Sequence, residues 1–186
     1  MRIISGKFKG KKILQPHDNL TRPLKDLTKE SIFNILSHSN KFDIRIKDSK
    51  VLDLFAGTGS FGLETLSREA SFVTFVENYA NIINVLKKNI LSCKVNDACE
   101  IIQKEINIEF NFERLMKYDI IFFDPPYKEN NINLILDKLL DANILKKNGL
   151  IIMHRHKKTQ DLIPKKLKIL EEKSYGISKI LFLSLS

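Results

Sequence analysis

The segment Val51-Leu52-Asp53-Leu54-Phe55-Ala56-Gly57-Thr58-Gly59-Ser60-Phe61-Gly62 restricts the fold of this chain more than any other. An apolar run leads into a glycine-rich turn, and the turn opens an amphipathic stretch from Phe61 to Glu69. That order predicts a buried strand, a tight turn and a helix packed back on the strand, the first unit of a mainly parallel sheet. Gly57, Gly59 and Gly62 satisfy G-x-G-x-x-G, and Glu77 follows twenty residues after Gly57. Formally this is the dinucleotide fingerprint, in which the helix N-terminus faces a pyrophosphate. Asp53, just before the loop, would repel a diphosphate and attract a cation. S-adenosylmethionine suits such a site: its sulfonium and amino groups are positive, and its ribose hydroxyls can bind Glu77. Asp53, Phe55, Ala56, Gly57, Gly59 and Glu77 are therefore the candidate cofactor-binding residues.

A second constellation is Asp124-Pro125-Pro126-Tyr127, directly after the apolar run Ile120-Ile121-Phe122-Phe123. Proline fixes φ and holds the residue before it extended, so the carboxylate and neighbouring carbonyls are fixed in place. An exposed tyrosine ring offers a face on which a base can stack. Acid, prolines and ring together suit a flat nitrogen base held by its exocyclic amine, and these four are the candidate catalytic residues. Asp124 would accept one amine N–H and the Pro125 carbonyl the other, aiming the nitrogen lone pair at a methyl carbon. Tyr127 would stack the base, which must leave its own stack to reach the pocket.

The rest of the chain alternates in the manner of βα units. Strands are expected at Val51–Phe55, Phe72–Glu77, Glu100–Gln103, Tyr118–Phe123 and Leu150–Met153. Helices are expected at Ala80–Leu91, Phe110–Met116 and Ile132–Leu140. Leu167–Ser174 and Ile177–Leu183 would close the sheet as an antiparallel pair across Tyr175-Gly176. Ahead of this core, Arg2-Ile3-Ile4 and Lys12-Ile13-Leu14 flank a turn and read as a short basic hairpin. Leu27, Ile32, Phe33, Ile35 and Leu36 fit one face of a helix over Asp26–Leu36. The 186 residues suit one domain, an N-terminal extension over 1–40 and a catalytic core over 50–186.

Charge is uneven. The net charge is +9, and residues 1–50 hold twelve Lys or Arg against five Asp or Glu. Arg2, Lys7, Lys9, Lys11 and Lys12 precede the first acid, and Arg155, Lys157, Lys158, Lys165, Lys166 and Lys168 form a second cluster. Such blocks suit a polyanion, because each phosphate contact releases counterions. A lysine-rich solvated face is the alternative. No run approaches the roughly 20 apolar residues a membrane span needs, and no apolar signal region opens the chain, so a cytoplasmic protein is expected. Cys93 and Cys99 lack metal-ligand spacing. His154 and His156 have no evident third ligand and read as exposed basic residues; no metal is expected.

These segments carry a family resemblance. Met1-Arg2-Ile3-Ile4-Ser5-Gly6, the stretch RPLKDLTKESIFNIL from Arg22 to Leu36, DLFAGTGSFGLE from Asp53 to Glu64, and Asp124 to Tyr127 resemble the RsmD family. These are bacterial methyltransferases that modify guanine N2 in small-subunit ribosomal RNA. The resemblance spans nearly the whole chain, including Ser174-Tyr175-Gly176. It implies an α/β fold: the Rossmann-like seven-stranded class I methyltransferase fold with a small N-terminal hairpin and helix. It also implies S-adenosylmethionine as cofactor and 16S rRNA or the small ribosomal subunit as partner; the chain is expected to act as a monomer. Glu105, after the third strand, falls where the family places an acid near the adenine amine. Arg22 would pack over the cofactor and substrate cleft, and with Arg2, Lys7, Lys9, Lys11 and Lys12 completes the candidate RNA-binding set. The chain departs from the family pattern at Leu27 and Lys29, where arginines are usual, and at His154-Arg155-His156, where a glutamate is common. An adenine-N6 methyltransferase, a nicotinamide-dependent oxidoreductase and a catalytically silent RNA-binding module remain as alternatives.

Overall fold

The computed structural model describes residues 1–16 and 24–186. Arg22 therefore lies outside the described residues. The elements run α1 (Asp26–His38), β1 (Lys50–Leu54), α2 (Ser60–Ser67), β2 (Phe72–Glu77), α3 (Ala80–Cys93), β3 (Cys99–Gln103), β4 (Tyr118–Phe123), α4 (Ile132–Asp141), β5 (Leu145–His156), β6 (Leu167–Tyr175) and β7 (Ser178–Leu185). They build a seven-stranded sheet in the order β3-β2-β1-β4-β5-β7-β6. The first five strands are parallel, and β7 is antiparallel to both β5 and β6. The α/β reading and the antiparallel closing pair are both borne out.

The central strands read as continuous apolar runs because helices cover both faces of the sheet. Val51, Ile120 and Phe122 face one core, shared with Ile32 and Phe33 of α1, Phe61 and Leu63 of α2, and Leu86 of α3. Leu52, Leu54, Ile121 and Phe123 face the other, shared with Ile135, Leu136 and Leu139 of α4. Phe61 stacks on Phe122 with ring centroids 4.0 Å apart, joining α2 to β4 beneath the glycine loop.

Two expected elements differ. The helix expected over Phe110–Met116 is a single 3₁₀ turn at Phe112–Arg114. Phe110 and Phe112 pack against each other and the core, so burial rather than helical periodicity sets their spacing. The fifth strand extends well beyond Leu150–Met153 at both ends, because it pairs with β4 and β7 together. In α1, Leu27 is 77% exposed and stands off the apolar face, whereas Lys29 is fully buried. Its ammonium donates to the Arg2 carbonyl at 2.8 Å and to Ser60 Oγ at 3.1 Å, and it pairs with the buried Glu64. Burial lowers the pKa of this ammonium, against the pull of Glu64. Lys29 ties the N-terminal segment, α1 and α2 together and does not face a ligand.

The basic hairpin is present as one antiparallel bridge, Arg2 with Lys12, backed by Ile3 and Ile13 in the core. Glu64 accepts from the Ile4 and Ser5 amides, and Leu14 donates to Asn89 Oδ1. The turn lies by Ser67, where Lys7 N donates to the Ser67 carbonyl. The hairpin therefore runs along α2, with its open end by Ser60 and its turn at the far end. It is part of the packed body.

Candidate active site

The carboxyl ends of β1, β2, β4 and β5 form one rim, where ligands gather in a sheet of this kind. Asp53 belongs to β1, Glu77 ends β2 and Asp124 follows β4. A narrow cleft is lined by Asp53, Phe55, Ala56, Gly57, Phe122 and Asp124, among others. Asp53, Phe55, Ala56 and Gly57 are brought together with the candidate catalytic Asp124.

The glycine loop is shaped by its backbone. Gly59 caps α2 in the left-handed region at φ 78°, and an added Cβ would sit 2.4 Å from Leu86 Cδ1. Gly62 lies so close to the sheet that a Cβ would meet Phe75 Cε1 at 2.3 Å. Helix α2 can approach the strands this closely only without those side chains. Gly57 (φ 56°) has open space where a Cβ would stand.

Two carboxylates hold this loop. Glu77 Oε2 accepts from the Gly57 amide at 2.8 Å, while Oε1 accepts from the Asn78 and Tyr79 amides at 2.9 and 3.0 Å. Asp53 is 1% exposed and accepts from the Gly62 amide at 2.9 Å. Burial pushes the Asp53 carboxyl well above the ordinary carboxylate range; the Gly62 amide opposes the rise, and the nearby Asp124 and Glu77 charges add to it. A group in this state favours a cation beside it, since a positive charge relieves the cost of ionising the buried acid. The donor set fits S-adenosylmethionine: buried and rim carboxylates for its positive and hydroxyl groups, and open backbone at Gly57. Glu105 is exposed two residues beyond the end of β3.

On the other side of the rim, side chains do the holding. Asp124 Oδ1 lies 2.8 Å from His154 Nδ1, and His154 Nε2 lies 2.9 Å from Ser178 Oγ. His154 is 6% exposed, so its reading as an exposed basic residue is corrected. Arg155 is 2% exposed and is likewise removed from the polyanion surface. Its guanidinium donates to the Pro126 carbonyl at 2.9 Å, to the Glu129 carbonyl at 3.1 Å and to the Asp161 carboxylate at 3.0 Å. A planar fork of five donors satisfies these acceptors as no lysine would. Pro125 is buried and Pro126 exposed. The Tyr127 ring is half-buried rather than exposed, edge-on to His156 at 5.1 Å and to His154 at 6.3 Å.

The missed residues had a signal. Leu150-Ile151-Ile152-Met153 ends at His154 as Ile120-Ile121-Phe122-Phe123 ends at Asp124, and the two runs pair in register as far as Phe123 and Met153. One more step sets His154 beside Asp124. Ser178 comes from β7, two positions diagonally across the β5–β7 ladder.

The second basic cluster is split. Lys157 and Lys158 follow β5 at the rim, whereas Lys165, Lys166 and Lys168 flank the start of β6 at the opposite end of the sheet, where Lys166 pairs with Asp141. In the first cluster, Lys7 pairs with Glu69 and the Lys11 ammonium donates to the Ser92 carbonyl. Arg2, Lys9 and Lys12 are exposed. Among the described residues no cluster of His, Cys, Asp and Glu is placed to hold a metal ion, and no helix is long and apolar enough to cross a membrane.

A family model described as "conserved hypothetical protein 95" matches residues 1–184. "Ribosomal RNA small subunit methyltransferase D" of Haemophilus influenzae is 35% identical over 95% of this chain and 90% of its own length. A solved structure of a putative methyltransferase from Escherichia coli, yhhF, is 27% identical and covers all of this chain and 97% of its own, with a TM-score of 0.84. A putative methylase from H. influenzae, also solved, is 32% identical and covers all of this chain and 99% of its own, with a TM-score of 0.77.

Proposed function

The chain belongs to the RsmD family, and from that premise we propose that it is an S-adenosylmethionine-dependent methyltransferase acting on the exocyclic N2 amine of a guanine in 16S rRNA. The substrate is the small ribosomal subunit or an assembly intermediate of it, and the enzyme works in the cytoplasm as a monomer built on one methyltransferase domain. The observation that carries this reading is the shared cleft: Asp124, fixed at the tip of β4, opens onto the pocket that the glycine loop and Asp53 line.

S-adenosylmethionine supplies a methyl group on a positive sulfur. When it is bound, Glu77 would take its ribose hydroxyls, Asp53 and the backbone at Phe55, Ala56, Gly57 and Gly59 would hold its charged end, and Glu105 would serve its adenine amine. Asp124 accepts one N–H of the target amine and the Pro125 carbonyl accepts the other. Both acceptors draw the nitrogen towards a tetrahedral arrangement with its lone pair facing the cleft. Positioning and fixed charge supply the acceleration, so no strong base is required. The half-buried Tyr127 presents one face to the base. Arg2 and Lys12, at the open end of the hairpin, contact phosphates on the same side as the rim, and Arg22 adds to this contact. Lys7, Lys9 and Lys11 make weaker contributions, since α2 separates the hairpin turn from the glycine loop by about 12 Å.

The test is transfer of labelled methyl from S-adenosylmethionine to small subunits isolated from cells lacking the gene, followed by nucleoside mass analysis. One N2-methylguanosine per subunit is expected. N6-methyladenosine instead would move the target to adenine. Saturable NAD binding without S-adenosylhomocysteine binding would overturn the methyltransferase reading.

A further inference from the structure

We propose that His154, steadied by Ser178, is a positioning residue that fixes the carboxylate of Asp124 for the target amine; this rests on the functional reading above. A carboxylate tip at the end of a strand can rotate about its last torsion, and the proline after Asp124 restrains only its backbone. The rotation is stopped from the side. His154 Nδ1 stands 2.8 Å from Oδ1, and Ser178 Oγ stands 2.9 Å from Nε2 of the same ring.

The chemistry of the partners sets the direction of each bond. An ionised carboxylate only accepts, so Nδ1 carries the proton. Where Nδ1 alone carries a proton, Nε2 presents a lone pair to which the Ser178 hydroxyl donates. His154 is 6% exposed and Ser178 5%, so water competes poorly for either bond. The Tyr127 ring lies edge-on to His154, which limits tilting of the imidazole. Oδ1 is thereby engaged from within the fold, and Oδ2 is left as the oxygen that meets the amine. One oxygen of Asp124 and one backbone carbonyl then match the two N–H bonds of a single amino group.

The arrangement is not a byproduct of packing alone. An apolar residue at 154 would continue the run Leu150 to Met153 and leave Oδ1 without its buried donor. Arg155, the next residue, points away and holds the Pro126 and Glu129 carbonyls. Consecutive residues of β5 thus set the side chain and the backbone of the same loop independently.

The experiment combines two readouts on full-length protein. In methyl transfer to isolated small subunits, His154→Leu should lower kcat by about 10²-fold, the cost of a roughly 1 Å misplacement, with KM and S-adenosylhomocysteine affinity within about twofold. His154→Asn, whose amide nitrogen replaces Nδ1–H but cannot bond Ser178, should recover most of that loss. In the cofactor-free protein, ¹⁵N NMR should show a protonated Nδ1 on His154, and Asp124→Ala should shift that resonance. Equal impairment of the Leu and Asn variants, full activity of the Leu variant, or an unprotonated Nδ1 would each overturn the proposal. Should the Leu variant fail to fold, the Asn variant and the NMR signal still decide it. A wild-type protein that transfers no methyl group would overturn the functional reading, and the proton on Nδ1 would still decide the His154 assignment.

Discussion

The two sides of the rim hold their functional carboxylates by different means. Around β1 and β2, Asp53 and Glu77 are held by backbone amides from within twenty residues of sequence, in a loop whose shape follows from Gly59 and Gly62. Around β4 and β5, Asp124 and the turn after it are held by His154, Ser178, Arg155 and Asp161, all at least 26 residues away along the chain or bound to something that is. The first side is local and backbone-made, and it suits a cofactor of fixed shape. The second is assembled from distant side chains, so substitutions in β5 and β7 can alter the target site while the cofactor site stays intact.

The comparison predicts a clean division of effects. Asp124→Ala should abolish methyl transfer, a loss of at least about 10²–10³-fold. Calorimetry should find S-adenosylhomocysteine affinity nearly unchanged, because Asp124 meets the amine and not the anchoring groups. An affinity loss matching the activity loss would break the division.

Arg155→Ala should destabilise the fold by about 3–5 kcal/mol, since it leaves the largely buried Asp161 unpaired along with two carbonyls. Thermal unfolding measures this. Arg155→Lys should recover only part of it, because one ammonium cannot reach all the acceptors of the guanidinium. Glu77→Ala, on the other side, should weaken cofactor binding by about 1–3 kcal/mol through lost charge-assisted bonds. It should leave the ¹⁵N signal of the His154 Nδ1–H unaltered.

Asp53 gives a pH test of the local side. Its folded-state pKa is raised above the unfolded value, so the folded state keeps its proton longer as pH rises. Stability is then lost as pH climbs from about 4 through the raised value, because the unfolded chain ionises first. Asp53→Asn removes that cost and keeps an acceptor for the Gly62 amide. Its stability relative to wild type should grow between pH 4 and pH 8, while its affinity for the cationic cofactor falls. A constant difference across that range would show that Asp53 ionises normally.

The smallest effect is expected from the hairpin. Arg2→Gln with Lys12→Gln should flatten the log–log salt dependence of RNA affinity by about 1.4 units, at about 0.7 per single-strand contact. Lys7→Gln with Lys9→Gln should change it less, since Lys7 already pairs with Glu69 and both sit by the turn at the far end of α2. Equal slopes in all variants would make the hairpin a structural element alone.

The same division explains what could be read from the chain. Asp53, the glycines and Glu77 were legible because steric demands of a tight turn leave few residue choices, and those demands act within a short segment. Asp124 was legible through the prolines beside it. His154 and Arg155 read as exposed bases because their partners come from other segments, the loops after β4 and β5 and the start of β7: hydropathy marks neither as buried, and pairing of β5 with β4 must be known first. The burial of Lys29 is hidden from the sequence for the same reason, since it is enclosed by Arg2, Ser60 and Glu64 from two other elements. Phe110–Met116 reads as a helix, but Phe110 and Phe112, two residues apart, both turn into the same core, which a single 3₁₀ turn allows and a helix face does not.

The most direct measurement is mass mapping of small-subunit rRNA from cells with the gene, without it, and with the Asp124→Ala variant supplied in its place. Loss of one N2-methylguanosine on deletion, restored by the wild-type gene and not by the variant, is the result predicted here. An unchanged modification map on deletion, or full restoration by Asp124→Ala, would contradict the assignment of the amine to this carboxylate.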